Sequence, residues 1–444
     1  MRRLSFNTKW LYPGMHVKRW LLLLFMGMTL GALGVAFGLR DLYVHGYRWP
    51  PSMYYLTLQV LPRAVRAILV GTAGLLCIVV AILRLNRSLL GALLPPRSGN
   101  QDLAELVYAR RLQQRGPQVV ALGGGHGLST LLSGLKEHTE QIVAIVNVAD
   151  DGGSSGRLRR EFGVLPPGDI RRCLAALAAS DEALMAELFE YRFDTGGGLE
   201  GHTFGNLFIT ALNEITGSFD QALQAASKVL AVRGRVLPPT LAPVTLAADL
   251  QVPVGSAAQV VEGESHIAKT GLPIHRVFLR PASPPAYPPA VTALLQADLI
   301  VIGPGSLYTS LLPVLLVEEL RRAIIASQAL VVYVCNVATE PGETDNFGVQ
   351  AHLQALIDHV GARVIDVALA NNNQQPANNF APEWQGRSTI VPFDLAHTNG
   401  TSQPKMSGVP IVAADLINPA NPLRHDPHKL ADELMRLLRA RMES

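Results

Sequence analysis

The chain has 444 residues, a formal charge of +3, 48% apolar and only 16% charged residues. It is too long for one small domain and too apolar for global disorder, and its near-neutral balance argues against a nucleic-acid binder. Three cysteines, Cys77, Cys173 and Cys335, are far apart and odd in number, and read as buried reduced thiols in a reducing compartment.

Residues 1–19 form a basic N-terminus carrying Arg2, Arg3, Lys9, Lys18 and Arg19. The uncharged run 20–39 that follows is long enough to cross a bilayer as a helix. A second uncharged run, 67–83, sits at the lower limit for spanning, between Arg63, Arg66, Arg84 and Arg87. After the first run, Arg40, Asp41, Leu42 and Tyr43 lack the small-residue pattern of a cleaved signal peptide. The expectation is a transmembrane helical hairpin with a short external loop at 40–66; one span plus an interfacial second helix is the alternative. Flanking charge and the character of the remaining chain put the main domain in the cytoplasm, at the inner membrane. A turn-rich break at 94–100 and helical spacing over 102–115 make 84–115 a linker and connecting helix.

From 116 to 444, apolar runs alternate with helical patterns, which predicts an α/β fold with a mainly parallel, Rossmann-like sheet flanked by helices. Strands are expected at 119–122, 142–148, 277–280, 299–302, 330–336 and 364–369. Helices are expected at 128–136, 170–179, 182–191, 205–214, 219–230, 314–325 and 350–359. The span 235–274, broken by Pro238, Pro239, Pro253, Gly255 and Gly263, reads as short strands in a small subsidiary β layer. Residues 281–289 read as a rigid connector, and 371–385 as a mobile loop with no nameable chemistry.

Ligands in such sheets gather at the carboxyl ends of strands, so the loops after strands carry the site expectation. The first runs through Gly123, Gly124, Gly125, His126, Gly127, Leu128 and Ser129, where amide groups and a helix start can bind an anion. Plain turn geometry would also explain these glycines. The loop lacks the lysine of a P-loop. Asp150 falls where a ribose-binding acid of a dinucleotide site would, but such a site has no use for the Asp151-to-Arg157 segment that follows. Asp150 and Asp151 can hold a divalent cation or meet a ligand hydroxyl; a solvated strand end is the plain alternative. Ser154, Ser155 and Arg157 complement phosphate oxygens. Asp169 suits a helix N-cap, while Arg171 and Arg172 are expected on the surface. His202 stands at another helix start as a structural ring or a ligand contact, with Asn206 beside it as an amide donor. Gly303, Pro304, Gly305 and Ser306, followed by Thr309 and Ser310, repeat the strand–glycine–hydroxyl–helix logic, and 336–344 forms a fourth polar loop. There is no zinc spacing of Cys and His, and no Gly-x-Ser-x-Gly elbow.

These motifs together resemble the gluconeogenesis-factor family, called YvcK or GlmR, related to the phospholactate transferase CofD. The resemblance rests on 123–129, 150–157, 166–171, 201–206, 303–310 and 341–344, and spans nearly all of 116–444. It implies a Rossmann-like core that binds a UDP-sugar, notably UDP-N-acetylglucosamine, and a role in cell shape and envelope precursor supply during gluconeogenic growth. The CofD branch instead moves a phospholactyl-type group from a guanosine diphosphate carrier to a deazaflavin hydroxyl, with magnesium. Position 126 is His where the family often has Thr, and the compact soluble members lack the two N-terminal apolar segments.

Two readings follow. In a membrane-tethered UDP-sugar-binding regulator, amides of Gly123 to Gly127 and Gly303 to Ser306 cradle the diphosphate, Asp150 or Asp151 meets a hydroxyl or metal, and Arg157 and Asn206 clamp the sugar-phosphate side. In a transferase, Asp150 and Asp151 hold Mg²⁺ that polarises a phosphoryl oxygen. An NAD oxidoreductase is a distant third. The partners implied are the nucleotide-sugar ligand, the membrane and further copies of the chain.

Overall fold

Strand β1 (Val119–Gly123) is buried at all five positions. Successive strand residues face opposite sides, so such a run must be covered on both. Strands β7 (Leu299–Ile302) and β8 (Leu330–Val334) show the same near-continuous burial. The computed structural model describes residues 116–179, 183–251, 259–374, 388–394 and 404–443, with scattered positions between 25 and 78.

Eight strands form the main sheet in the order β10-β11-β9-β8-β7-β1-β2-β3. Here β2 is Ile142–Val146, β3 Arg235–Leu237, β9 Val367–Asn371, β10 Lys405–Met406 and β11 Val409–Ala414. Every pairing is parallel except β10 with β11, a two-residue edge. The mainly parallel α/β expectation therefore stands. Helices α1 (Gly125–Leu135) and α3 (Gly168–Leu177) pack together, and α12 (Pro427–Glu443) packs on α1. A second group comprises α8 (Pro288–Gln296), α9 (Leu312–Leu315), α10 (Glu318–Ala326) and α11 (Val349–Val360). Each core Leu, Ile or Val of this layered interior contributes about 1.5–3 kcal/mol of burial.

Several expectations need correction. The 277–280 strand is part of β6 (Ile274–Arg280), which joins β4 (Thr245–Leu250) and β5 (Gln259–Glu262) in a separate antiparallel sheet. Its exposed His275, Arg276 and Arg280 cannot lie inside a doubly covered parallel sheet. Conversely β3, placed in the subsidiary layer by its prolines, pairs parallel with β2 in the main sheet. The 314–325 helix is two helices, α9 and α10, and α8 begins at Pro288 inside the supposed connector. Proline at a first helical position loses no intrahelical bond. The glycine-serine loop after Asp151 is helix α2 (Gly153–Phe162). Cys173 and Cys335 are buried free thiols.

Residues 1–111 form a unit of their own. The expected spans at 20–39 and 67–83, the loop at 40–66 and the linker at 84–115 fall largely outside the described residues. No helix among the described residues is long and apolar enough to cross a membrane.

Candidate functional site

From β1 the chain steps outward through β2 to β3; from β7 it steps the other way through β8 to β9 and β11. The neighbouring exits of β1 and β7 therefore diverge, and a crevice opens at this switch point. A cavity of about 530 Å³ occupies it, lined by both glycine turns.

Neither turn is an open cradle of amide groups. In the first, Gly125 sits at φ +66 and its N–H is accepted by the carboxylate of Asp169, in the first turn of α3. In the second, Asn336 accepts from the Gly305 N–H at 3.1 Å and donates to the Gly305 carbonyl at 2.9 Å. The turns also press on each other. A Cβ on Gly127 would meet the Pro304 carbonyl oxygen at 2.6 Å and the Gly305 nitrogen at 2.9 Å. These glycines serve close approach first.

Asp150 and Asp151 part company. Asp150 accepts from the Gly152 N–H at 2.8 Å and from Ser155, and lines the cavity. Asp151 accepts from the Ser265 N–H at 2.8 Å, outside the lining. The pair does not converge on one cation. Among the described residues, no group of three or more His, Cys, Asp or Glu is placed to hold a metal.

Helix α2 forms because tertiary bonds hold its weak Gly-Ser-Ser-Gly start. Ser154 Oγ lies 2.9 Å from His202 Nδ1 and accepts from Asn206 Nδ2 at 3.0 Å; Ser155 Oγ accepts from the Gly168 N–H at 3.1 Å. Of the expected residues, Gly124, Gly125, Gly127, Asp150, Ser154, Ser155, Asp169, Asn206, Gly305 and Ser306 line the cavity. Gly123, Ser129, Asp151, Arg157, His202 and Gly303 do not. His202 stands behind Ser154, Arg157 donates to the Glu200 carbonyl at 2.8 Å, and Ser129 donates to the His126 carbonyl at 2.9 Å.

Asp150, Asp169 and Glu264, which opens helix α7 (Glu264–Ile267), also line the cavity. Burial raises all three carboxyls, helped at Asp150 by the Asp151 charge, at Asp169 by Asp150 and at Glu264 by Asp150 and its neighbours, which puts Asp169 at about 6 and Glu264 at about 8. Four guanidinium groups share the lining with them: Arg171, Arg172, Arg192 and Arg424. Arg171 overturns the surface expectation. It is 3% exposed, donates to Asn206 Oδ1 at 3.1 Å and to the Phe189 carbonyl at 3.3 Å, and pairs with Glu190. Arg172 pairs with Asp169 at 3.1 Å. Partial burial, then Arg172 and Arg424, push His126 down to about 4, and burial does the same to His425, so both rings are neutral at pH 7.

Residues 119–417 match the family model described as 2-phospho-L-lactate transferase CofD. The protein named Gluconeogenesis factor in Bacillus subtilis is 44% identical over 324 residues, covering 73% of this chain and 98% of that protein. A relative from Nostoc sp. is 45% identical over 439 residues, covering 96% of this chain and 92% of its own. The chain belongs to the gluconeogenesis-factor group of the CofD family. A crystal structure of a Bacillus halodurans protein shares the fold at TM-score 0.65 and 41% identity, over 72% of this chain and 99% of that one.

The CofD match ends before β13 (Asn421–His425), which pairs with β12 (Ile417–Asn418) and supplies Asn421, Leu423, Arg424 and His425 to the cavity. Sequence reasoning missed this strand, Arg192 and Glu264. One signal was available for Arg171 and Arg172: cations near a helix N-terminus oppose its dipole, so they need a partner there.

Proposed function

We propose that this gluconeogenesis-factor relative is a nucleotide-sugar-binding regulator, with UDP-N-acetylglucosamine as its ligand, supporting cell shape and envelope precursor supply during gluconeogenic growth. The observation that carries this reading is the convergence of four arginines on a cavity of about 530 Å³ at the β1/β7 switch point. Because Asp169 and Asn336 already occupy the central turn amides, the diphosphate goes to the guanidinium groups, which match phosphate oxygens in pairs. Ribose and sugar hydroxyls then donate to Asp150, Asp169 and Glu264.

Calorimetric titration of the full-length protein with UDP-N-acetylglucosamine, UDP, GDP and NADH tests it. UDP-N-acetylglucosamine should bind; NADH binding with UDP-N-acetylglucosamine inert would refute the reading. The CofD match favours a second reading, transfer of a phospholactyl or nucleotidyl group. Magnesium-dependent product formation lost on Asp150→Asn would replace binding alone with that reading. For the N-terminal unit we propose an inner-membrane tether that leaves the main domain cytoplasmic. Exposed, helical Phe25, Val35 and Leu39 support it. Recovery of full-length protein in the supernatant after detergent-free sedimentation would refute the tether.

A further inference from the structure

Helix α5 (Phe204–Thr216) is amphipathic the wrong way round for a helix with one face in solvent. Its inward face carries Gly205, Asn206, Ile209 and Thr210, all buried. Two of these are polar because that face serves the cavity. Asn206 accepts from Arg171 and donates to Ser154, and Thr210 donates to the Asn206 carbonyl at 2.9 Å. Phe204, Leu207, Phe208, Ala211 and Ile215 recur at helical spacing on the opposite side. Ala211 is exposed, and Ile215 is 79% exposed.

Helix α4 (Ala183–Glu190) widens this apolar face. It packs against α5, with the Phe189 ring 5.3 Å from that of Phe208, and the Phe204 N–H donates to the Tyr191 carbonyl at the joint. From α4 the face gains Leu184, 77% exposed, and Leu188. We infer that the α4–α5 face is an interface between two copies of this chain, packed about a two-fold axis at Ala211.

The stripe on α5 is self-complementary. Leu207 and Ile215 lie four residues to either side of Ala211, the smallest side chain of the stripe. A two-fold axis there runs the two α5 helices antiparallel and seats Ile215 of each copy on Leu207 of the other, while alanine lets the axes come close. The arrangement also sets the exposed Glu214 of each copy beside the positive N-terminal end of the other α5. With α4 flanking on each side, the product is a four-helix bundle. A lipid surface fits less well, because the two helices carry Glu187, Glu190 and Glu214 and no lysine or arginine. Two helices side by side, the longer about 20 Å, offer about 400 Å² in outline, which belongs to the small, reversible class of association.

The test uses the full-length protein in detergent, with Cys77→Ser so that only the buried thiols Cys173 and Cys335 remain. Ala211→Cys should give an oxidised dimer, because the axis sets the two new thiols face to face. Thr292→Cys, exposed on α8, should not. Sedimentation velocity of the wild type should show a dimer that dissociates on dilution. Ile215→Lys and Leu184→Lys stand at positions open enough to accept them in a folded monomer. Each occurs twice in the dimer, so each should raise its dissociation constant about a hundredfold, a tenfold loss per copy. The inference is overturned by a wild type that is monomeric at every concentration, by a dimer that both lysine variants leave intact, or by equal cross-linking at 211 and 292. A monomer in which lipid vesicles shield Ile215→Cys from a water-soluble thiol label would give the face to the membrane and overturn it too.

Discussion

The turns leaving β1 and β7 look alike in sequence, glycine-rich and followed by hydroxyls, yet they are fastened by different chemistry. The first is held by a titratable carboxylate, Asp169, brought by α3; the second by a neutral amide, Asn336, brought by the loop after β8. A similar backbone problem, an orphan N–H beside the cavity, has one answer that responds to pH and one that does not.

The largest test of this contrast removes the anchor of α3. Arg171→Ala leaves the Asn206 and Phe189 acceptors unpaired inside and the half-exposed Glu190 without its cation, and should cost about 2–4 kcal/mol in urea unfolding. Amide exchange at Gly125 should quicken while Gly305 keeps its protection; equal loosening of both would erase the distinction between the turns. Gly127→Ala comes next, at about 1–3 kcal/mol, because the new methyl strikes the Pro304 backbone rather than a flexible side chain. It should disturb both turns together, readable as paired exchange changes at Gly125 and Gly305. Asn336→Ala strips Gly305 of its N–H acceptor and its carbonyl donor for about 1–2 kcal/mol, and this loss should not vary between pH 5 and 8.

The smallest effect is linkage. Asp169 rises from 3.8 to about 6 and Glu264 from 4.5 to about 8 on folding. Raised carboxyls lend stability that is complete below the unfolded values and is lost as pH climbs through the folded ones. Unfolding midpoints should therefore fall between about pH 4 and pH 8. Glu264→Gln should flatten the upper part of that fall by about 1 kcal/mol, after discounting for solvent screening. A midpoint that rises over this interval would remove the carboxylates from the account.

What could be read in the sequence follows from how local each cause is. Strands β1 and β7 announce themselves because a doubly covered parallel strand needs an unbroken apolar run, and 119–122 and 299–302 supply one. Helix α2 does not, since its start has poor intrinsic propensity and stands on Ser154, Ser155, His202 and Asn206, residues up to 52 positions apart in the chain. Strand β6 was misplaced although its own pattern, buried Val277 and Leu279 among exposed charges, marks a one-sided sheet. Within the site, the glycine loops and Asp150 were visible as strand exits. Arg171 was not, because its burial depends on acceptors from α4 (Ala183–Glu190) and α5 (Phe204–Thr216). Strand β13 stayed invisible because five residues containing Pro422 carry no periodicity.

That strand has a consequence for biosynthesis. Asn421, Arg424 and His425 join the cavity from the far end of the chain, and α12 then folds back onto α1, the helix that leaves the first turn. A ribosome that has released the central sheet still holds an unfinished pocket. Contacts from Asn421, Arg424 and His425 exist only once this strand has been made and docked, so the cavity takes its final shape late.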